Sequence, residues 1–285
     1  MLTTALHTRP ARPGDRNMLD RLLAAAHRAH SHLDWHPPQN WLGRHPFQLA
    51  FSGERLVAAF AAPPEPPGVS WIRLAVVADD LPAEAGLDPL WAAAREPFHE
   101  LRVVQINCML IEDWLIPHLQ RWGFRFLTEV VVLRRERSAA DPLSLKTRPG
   151  IRLRPAKATD LDAITVVDNA AFAPPWQYSR SVIQQAMAQS TSATVAEAGH
   201  EIVGYQISSG GPEQAHLARL AVRPDRQGGG IGRALVIHMI DHFERRGVQT
   251  ITVNTQRDNL ASLKVYSVLG FEFASEQYSV WQYML

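Results

Sequence analysis

The most regular stretch of the chain is "GIGRALVIHMIDHFERRG". Ile231, Ala234, Leu235, His238 and Met239 recur at helical spacing on one face, and Gly247 comes where the stripe ends, so a glycine-closed helix is predicted. Upstream, "GIRLRP" predicts a short strand and "TDLDAITVVDNAAF" a helix, with Thr159 as its N-cap. "APPWQYS" reads as a turn, and Ser179 starts a second helix to about Gln189. "SATVAEA" and "EIVGYQISS" read as strands joined at "GH", a hairpin, and "QAHLARLAV" as a third strand. Downstream of the central helix come a strand "VQTITVNT", a helix "NLASLKVYSVLG" and a final strand region "FEFASEQYSVWQYML". The order β-α-α-β-β-β-α-β-α-β defines an α/β (α+β) fold, a mixed central sheet flanked by helices.

The first half of the chain carries an echo of this pattern. "RPARPGD" at Arg9 matches "RPAKATD" at Arg154, "RLAV" at Arg73 matches "RLAV" at Arg219, and "WGFRF" at Trp122 matches "LGFEF" at Leu269. Shared order and a nearly constant offset of about 146 positions point to a duplicated domain, because solenoid repeats have periods of roughly 20–50 residues. The boundary is expected within "ERSAADPLSLKTRPG", residues 136–150, which is rich in Pro, Ser and charge. The chain then divides into two domains, residues 1–138 and 150–285.

Composition narrows the function. The formal net charge of +1 offers no basic field for nucleic acid. The single cysteine, Cys108, excludes an internal disulfide framework and fits a reducing cytoplasm. "MLTTALHTRPARPGD" has no apolar signal-peptide core, and no run approaches the roughly 20 apolar residues of a membrane span. A soluble, cytoplasmic protein with no nucleic-acid or membrane partner is expected.

The chemistry concentrates in "RLAVRPDRQGGGIGRAL", where a strand runs through a glycine stretch into the central helix. A helix start offers unpaired N–H groups and a partial positive charge, and glycines let backbone curl around an anion. A pyrophosphate is the natural occupant. The loop is not a Walker A loop, having no Gly-Lys-Ser/Thr. Nor is it G-x-G-x-x-G, since Arg233 and Leu235 stand where a last glycine is required. Its spacing is Gln227-x-x-Gly230-x-Gly232.

That spacing, after "LAVRPD", resembles the acetyl-CoA loop of the GCN5-related N-acetyltransferase superfamily. "NLASLKVYSVLGF" resembles the same superfamily's next motif, an Asn, a small residue, a Tyr and a terminal Gly-Phe. The likeness covers about residues 151–285. It implies two tandem acyl-CoA N-acyltransferase domains, the second binding acetyl-CoA as co-substrate. It also implies that the strand carrying Leu220, Ala221 and Val222 splays from its neighbour and hydrogen-bonds the pantetheine arm. The N–H groups of Gln227, Gly228, Gly229, Gly230, Ile231, Gly232 and Arg233 would hold the pyrophosphate, with Arg226 or Arg233 adding charge. Asn259 and Ser262 would meet the pantetheine end. Tyr266 would protonate the leaving thiolate, a role a phenol can fill. The superfamily's base is a Glu in one of two places. Here those positions read Asn254, which cannot accept the proton, and His216, which can; failing His216, a water chain would serve.

At the loop position the first half reads "VVADDLPAEAG". Asp79, Asp80, Glu84 and Asp88 would repel a polyanion, Pro82 removes an N–H, and Leu119 replaces the tyrosine. The first domain is thus expected to be a degenerate copy that binds no coenzyme. In "HRAHSH", His27 and His30 are read on one helix face and His32 off it, with no Cys or carboxylate to complete a set, so no metal is expected. Trp35, Trp41 and Trp71 belong to the core or a domain interface, or else wall a substrate cleft.

The activity expected is transfer of acetyl from acetyl-CoA to a primary amine by direct attack. The acceptor is either a small amine or amino sugar, or a peptide N-terminus, the latter suggested by "AFAPPWQYS" as in ribosomal-protein alanine N-acetyltransferases. The alternative is a non-catalytic acyl-CoA-binding or sensing tandem. The two halves are expected to form an intramolecular pseudo-dimer, the chain itself being a monomer or homodimer.

Overall fold

The computed structural model of the protein describes residues 6–137 and 150–285, so most of the expected linker lies outside the described residues. The chain forms two compact units, Met1–Leu127 with Tyr278–Leu285, and Thr128–Gln277. Neither unit is a continuous stretch ending at the linker. Residues 128–137 count with the second unit and the last eight residues with the first.

The first unit contains β1 (His7–Pro10), α1 (Arg16–Ala25), β2 (Arg28–Ser31), β3 (Phe47–Ser52), β4 (Arg55–Ala61), β5 (Val69–Trp71), β6 (Leu74–Val77), α2 (Ala83–Arg95), α3 (Pro97–Glu100), β7 (Gln105–Met109), α4 (Ile116–Arg121) and the start of β8 (Arg125–Glu136). Five strands lie in the order β1-β3-β4-β6-β2. β5 runs parallel to β7. α1 buries Leu19 and Leu22 among Trp41, Phe47, Leu49, Leu74 and Val76. In α2 the stripe Leu87, Leu90, Trp91 and Ala94 packs with Phe60, Phe98, Trp122 and Phe124. The larger of these side chains contribute roughly 1.5–3 kcal/mol each on burial, so this half has kept a full core.

The second unit contains β9 (Ile151–Pro155), α5 (Leu161–Ala171), α6 (Arg180–Gln189), β10 (Ser192–Ala198), β11 (Glu201–Gly210), β12 (Gln214–Val222), α7 (Ile231–Glu244), β13 (Thr250–Gln256), α8 (Leu260–Val268) and the start of β14 (Glu272–Met284). β9 to β12 pair antiparallel in the order β9-β10-β11-β12, and β13 joins β12 in parallel. The sheet is therefore mixed, as the sequence predicts. The strand beyond β13 comes from the first half: β8 pairs with it from Thr250↔Glu136 to Gln256↔Val130. Reciprocally, the end of β14 pairs with β7 from Val280↔Met109 to Met284↔Gln105. Both end strands are long, at 12 and 13 residues.

The repeat is visible in local chemistry. Arg9 clamps Asp15 through two nitrogens at 2.7 Å, and Asp15 also accepts the Arg12 N–H. Arg154 clamps Asp160 at 2.6 and 2.9 Å, and Asp160 accepts the Lys157 N–H. Each arginine holds its carboxyl below the usual range, mainly through these charge-assisted hydrogen bonds. This corrects one expectation. Thr159 does not cap α5; it lies inside a single 3-10 turn, Asp160 stands at the N-cap position without a side-chain cap bond, and its carboxylate takes the Lys157 N–H before the turn. Ser179 does cap α6, accepting from the Val182 N–H at 3.2 Å. A second correction concerns "HRAHSH". α1 ends at Ala25, and His30 lies on strand β2, so His27 and His30 share no helix face.

Candidate active site

The site is built on a fork in the second unit's sheet. β12 and β13 pair from Gln214↔Thr250 to Leu217↔Val253, and there the ladder ends although both strands run on. At that point Ala218 is an extra residue in β12, since Leu217 faces Ser208 while Arg219 faces Ile207. Such a bulge bends the strand and re-aims the residues after it. Beyond it, Leu220, Ala221 and Val222 stay paired to Gln206, Tyr205 and Gly204 on one side. Their other edge turns away from β13. Backbone N–H and C=O groups along such an edge call for partners, and an extended, amide-bearing ligand can supply them as an added strand would.

β12 runs directly into the glycine loop. Gly228 and Gly230 take φ of +75° and +79°, the left-handed region that side chains disfavour, and Gly230 is the N-cap of α7. A glycine cap has no side-chain oxygen to occupy the first-turn N–H groups, so those donors and the positive end of a 14-residue helix remain for an anion. The Gln227 amide ties the loop back by donating to the Val222 carbonyl at 2.9 Å. Arg226 lies 3.4 Å from Asp225, which counters part of its charge.

α8 starts at Asn259, whose side-chain oxygen accepts the Ser262 N–H at 3.2 Å. Its one large buried side chain is Tyr266, 4% exposed and packed on Phe271 with ring centroids 5.7 Å apart. Burial raises the phenol's pKa, partly opposed by a hydrogen bond with Ser262. Tyr266 is therefore protonated at neutral pH and able to donate. It belongs to the cluster holding Ala215, Leu217 and Val253, on the α7 and α8 side of the sheet.

His216 lies between Ala215 and Leu217, and Thr252 between Ile251 and Val253 of the same cluster, so by strand alternation both face the opposite side. They pair across the last step but one of the fork, with His216 Nδ1 2.9 Å from Thr252 Oγ1. Burial lowers the His216 pKa, leaving a neutral imidazole. Asn254 is the first residue of β13 past the last pair. The structure thus brings Leu220 to Val222 and the 227–233 loop onto one continuous strand–loop–helix. Tyr266 lies on one face beside the fork, and His216 lies on the other.

Sequence reasoning passes over the group that organises the His216 face. Arg219 donates to both oxygens of Asp168 on α5 and to the Trp176 carbonyl at 2.6 Å, while Tyr205 donates to the same carboxylate. The guanidinium is stacked between the rings of Phe172 and Tyr178, at 3.6 and 3.8 Å from their centroids. Asp168 also accepts the Tyr178 N–H at 2.9 Å. The segment between α5 and α6 is fastened to β12 by this network. The doubled "RLAV" is the available signal, since it begins with an arginine in both halves. Among the described residues, no cluster of three or more His, Cys, Asp or Glu could hold a metal ion, and no helix is long and apolar enough to cross a membrane.

A strand forked beside a glycine-capped helix, with a buried phenol on the next helix, is what this unit presents. Comparisons with known proteins give its family. The Acetyltransferase (GNAT) family matches residues 161–271. The chain is 30% identical over 130 residues to [Ribosomal protein bS18]-alanine N-acetyltransferase of Escherichia coli (strain K12), covering 42% of this chain and 79% of that protein. It is 29% identical over 180 residues to a mycothiol acetyltransferase of Nocardioides sp., covering 54% of this chain and 60% of that protein. A tandem GNAT protein from the clavulanic acid biosynthesis pathway shares the fold over 98% of both chains, with a TM-score of 0.66 at 16% identity. The chain belongs to the GNAT acetyltransferase family and is an N-acetyltransferase; enzymes of this family use acetyl-CoA.

Proposed function

We propose that the second unit binds one acetyl-CoA along Leu220, Ala221 and Val222 and transfers its acetyl group to a primary amine by direct attack. The observation that carries this reading is the fork: the β12–β13 ladder ends at Leu217↔Val253, on the strand that leads to the Gly230 cap. The first-turn N–H groups around Gln227 to Arg233 hold the pyrophosphate, and Asn259 and Ser262 meet the pantetheine end.

The amine approaches from the side of His216 and Arg219. Its nitrogen attacks the thioester carbonyl carbon, and His216 accepts the proton that the nitrogen must lose. As the tetrahedral adduct collapses, the carbon–sulfur bond breaks. Tyr266, on the other side of the fork, gives its proton to the departing sulfur. Base and acid on opposite faces suit a reaction in which nucleophile and leaving group occupy different sides of one carbon.

The acceptor we favour is a peptide N-terminus. Arg219 fastens the segment between α5 and α6 to β12, and a relative 30% identical over 130 residues is named as a ribosomal protein bS18-alanine N-acetyltransferase. A small amine or amino sugar is the second reading, supported by the mycothiol acetyltransferase match. Release of free thiol from acetyl-CoA, measured over unblocked and N-blocked peptides, small amines and amino sugars, tests both. Turnover with unblocked peptides alone supports the first, and turnover with amino sugars alone supports the second. One-site binding without turnover on any amine would make the protein a sensor rather than a catalyst.

A further inference from the structure

The first unit repeats the fork and uses it differently. β5 runs parallel to β7 as far as Trp71↔Asn107, the chain breaks step at Ile72, and β6 continues along β4. In the register of the two "RLAV" segments, Leu74, Ala75 and Val76 correspond to Leu220, Ala221 and Val222. Their outer edge is covered. Ser31, His30 and Ala29 of β2 pair antiparallel with Leu74, Ala75 and Val76, and Arg28 pairs with Val77. One residue further along, the His32 N–H donates to the Arg73 carbonyl at 3.1 Å.

The covering strand is anchored at both ends. At the break, buried His30 donates from Nε2 to the Ile72 carbonyl at 3.1 Å, with Cys108 Sγ 3.7 Å away. At the other end, Arg28 reaches the loop that corresponds to the glycine loop, and one guanidinium nitrogen donates to the carbonyls of Ala78, Asp79 and Leu81 at 3.0, 3.2 and 2.7 Å. His27 meets the Asp79 carboxylate through its N–H and its ring. The acidic loop is also less bare than its sequence implies, because Asp80 pairs with Arg55 and Asp88 with Arg121 and Trp122. Like-charge repulsion therefore does not explain by itself why this half would reject coenzyme.

We infer that β2 is a built-in occupant of the first unit's coenzyme-type slot, filling the strand edge that its counterpart offers to a pantetheine arm and keeping coenzyme out. This rests on the reading of residues 220–222 as the pantetheine edge. The two failures can be told apart by amide-resolved hydrogen exchange on the full-length protein, with and without acetyl-CoA. In the free protein, the β6 amides that face β2 should exchange at least about 100-fold more slowly than open-loop amides, and acetyl-CoA should not change them. The slot-facing amides of residues 220–222 should exchange fast and then slow on addition of acetyl-CoA. Open-loop rates on β6 in the free protein, or a slowing there by acetyl-CoA, would overturn the inference. Absence of any response at residues 220–222 would count against the coenzyme site instead, while the free-protein rates on β6 would still decide the role of β2. Arg28→Ala should raise exchange across Leu74–Val77 at least tenfold, and an unchanged rate would remove the Arg28 anchor from the account.

Discussion

Arg219 and Asp168 meet side by side, Nε to Oδ2 at 2.7 Å and Nη2 to Oδ1 at 2.9 Å, with the carboxylate fully buried. The first half has its own version: Arg73 reaches Asp34 at 2.5 Å and stacks over Trp41 at 4.7 Å. Each "RLAV" arginine has thus kept an acidic partner and an aromatic face. A buried pair of this kind is a weak source of net stability, but removing one member leaves an uncompensated charge.

Arg219→Ala should therefore cost about 3–5 kcal/mol of stability, seen in denaturant unfolding, and should raise KM for the amine acceptor. Affinity for acetyl-CoA should stay within about threefold, since the arginine faces α5 and not the glycine loop. Equal losses in both substrates would mean that the pair only supports the fold.

Gly232→Asp places a carboxylate in the first turn of α7, where the pyrophosphate is expected. Repulsion between unit charges about 4 Å apart is about 4 kcal/mol at an effective dielectric of 20. Coenzyme affinity should fall at least about 100-fold in calorimetric titration. The unaltered protein should bind one equivalent, and two equivalent sites per chain would contradict this.

How much of this can be read from the chain alone differs by element. The glycine loop and the Asn259–Tyr266 helix are legible because their chemistry is local: a left-handed cap, a side-chain cap and a helix face are all written within a few residues. The hairpin at Gly199 is legible for the same reason. The exchange of β8 and β14 is not, because alternation says which face of a strand is apolar and nothing about which edge it joins. β2 is obscured by its neighbours. "AAAHRAH" continues a helix-like composition, and what makes it a strand is its ladder with β6 together with Arg28 and His30, which reach residues more than 40 positions away. Arg219 stands in plain view, but its acidic partner lies on another element.

Tyr266→Phe keeps the ring in its cluster and removes the proton. The expected loss is about 10²- to 10⁴-fold in kcat, with acetyl-CoA affinity unchanged. Steady-state kinetics on the true acceptor checks it, and an unaltered kcat would assign the thiolate's proton to another group.

Burial lowers the His216 pKa below its ordinary 6.5, so the neutral, proton-accepting form persists below that pH. Once the ionisation of the acceptor amine itself is divided out, the enzyme's own acid limb of kcat/KM should accordingly lie below pH 6.5, falling as pH drops through the lowered value. His216→Gln should abolish that limb and lower the rate. A limb unchanged in the variant would transfer the base role to a water chain.

Buried His30 has its pKa lowered to about 4, chiefly by desolvation. Above pH 6.5 neither folded nor unfolded chain protonates it. Between 6.5 and about 4 only the unfolded chain takes up the proton, so stability falls as pH falls, by up to about 1.4 kcal/mol per pH unit. Below about 4 this contribution to the slope vanishes. Denaturant unfolding at pH 5 and 7 should show the loss, and His30→Gln should make it smaller, the share of buried His32, whose pKa is also lowered by desolvation, remaining.

The exchanged end strands set an order on biosynthesis. β7 is buried along its whole length and receives its antiparallel neighbour only from residues 280–284. A nascent first unit must wait, with that edge bare, while about 150 further residues are made, on the order of 8–30 s at ~5–20 residues per second. A bare apolar edge invites mispairing for the whole interval. The first unit is therefore completed by residues made after the whole of Thr128–Gln277, and a ribosome that stalls anywhere in that stretch leaves the N-terminal half unfinished as well.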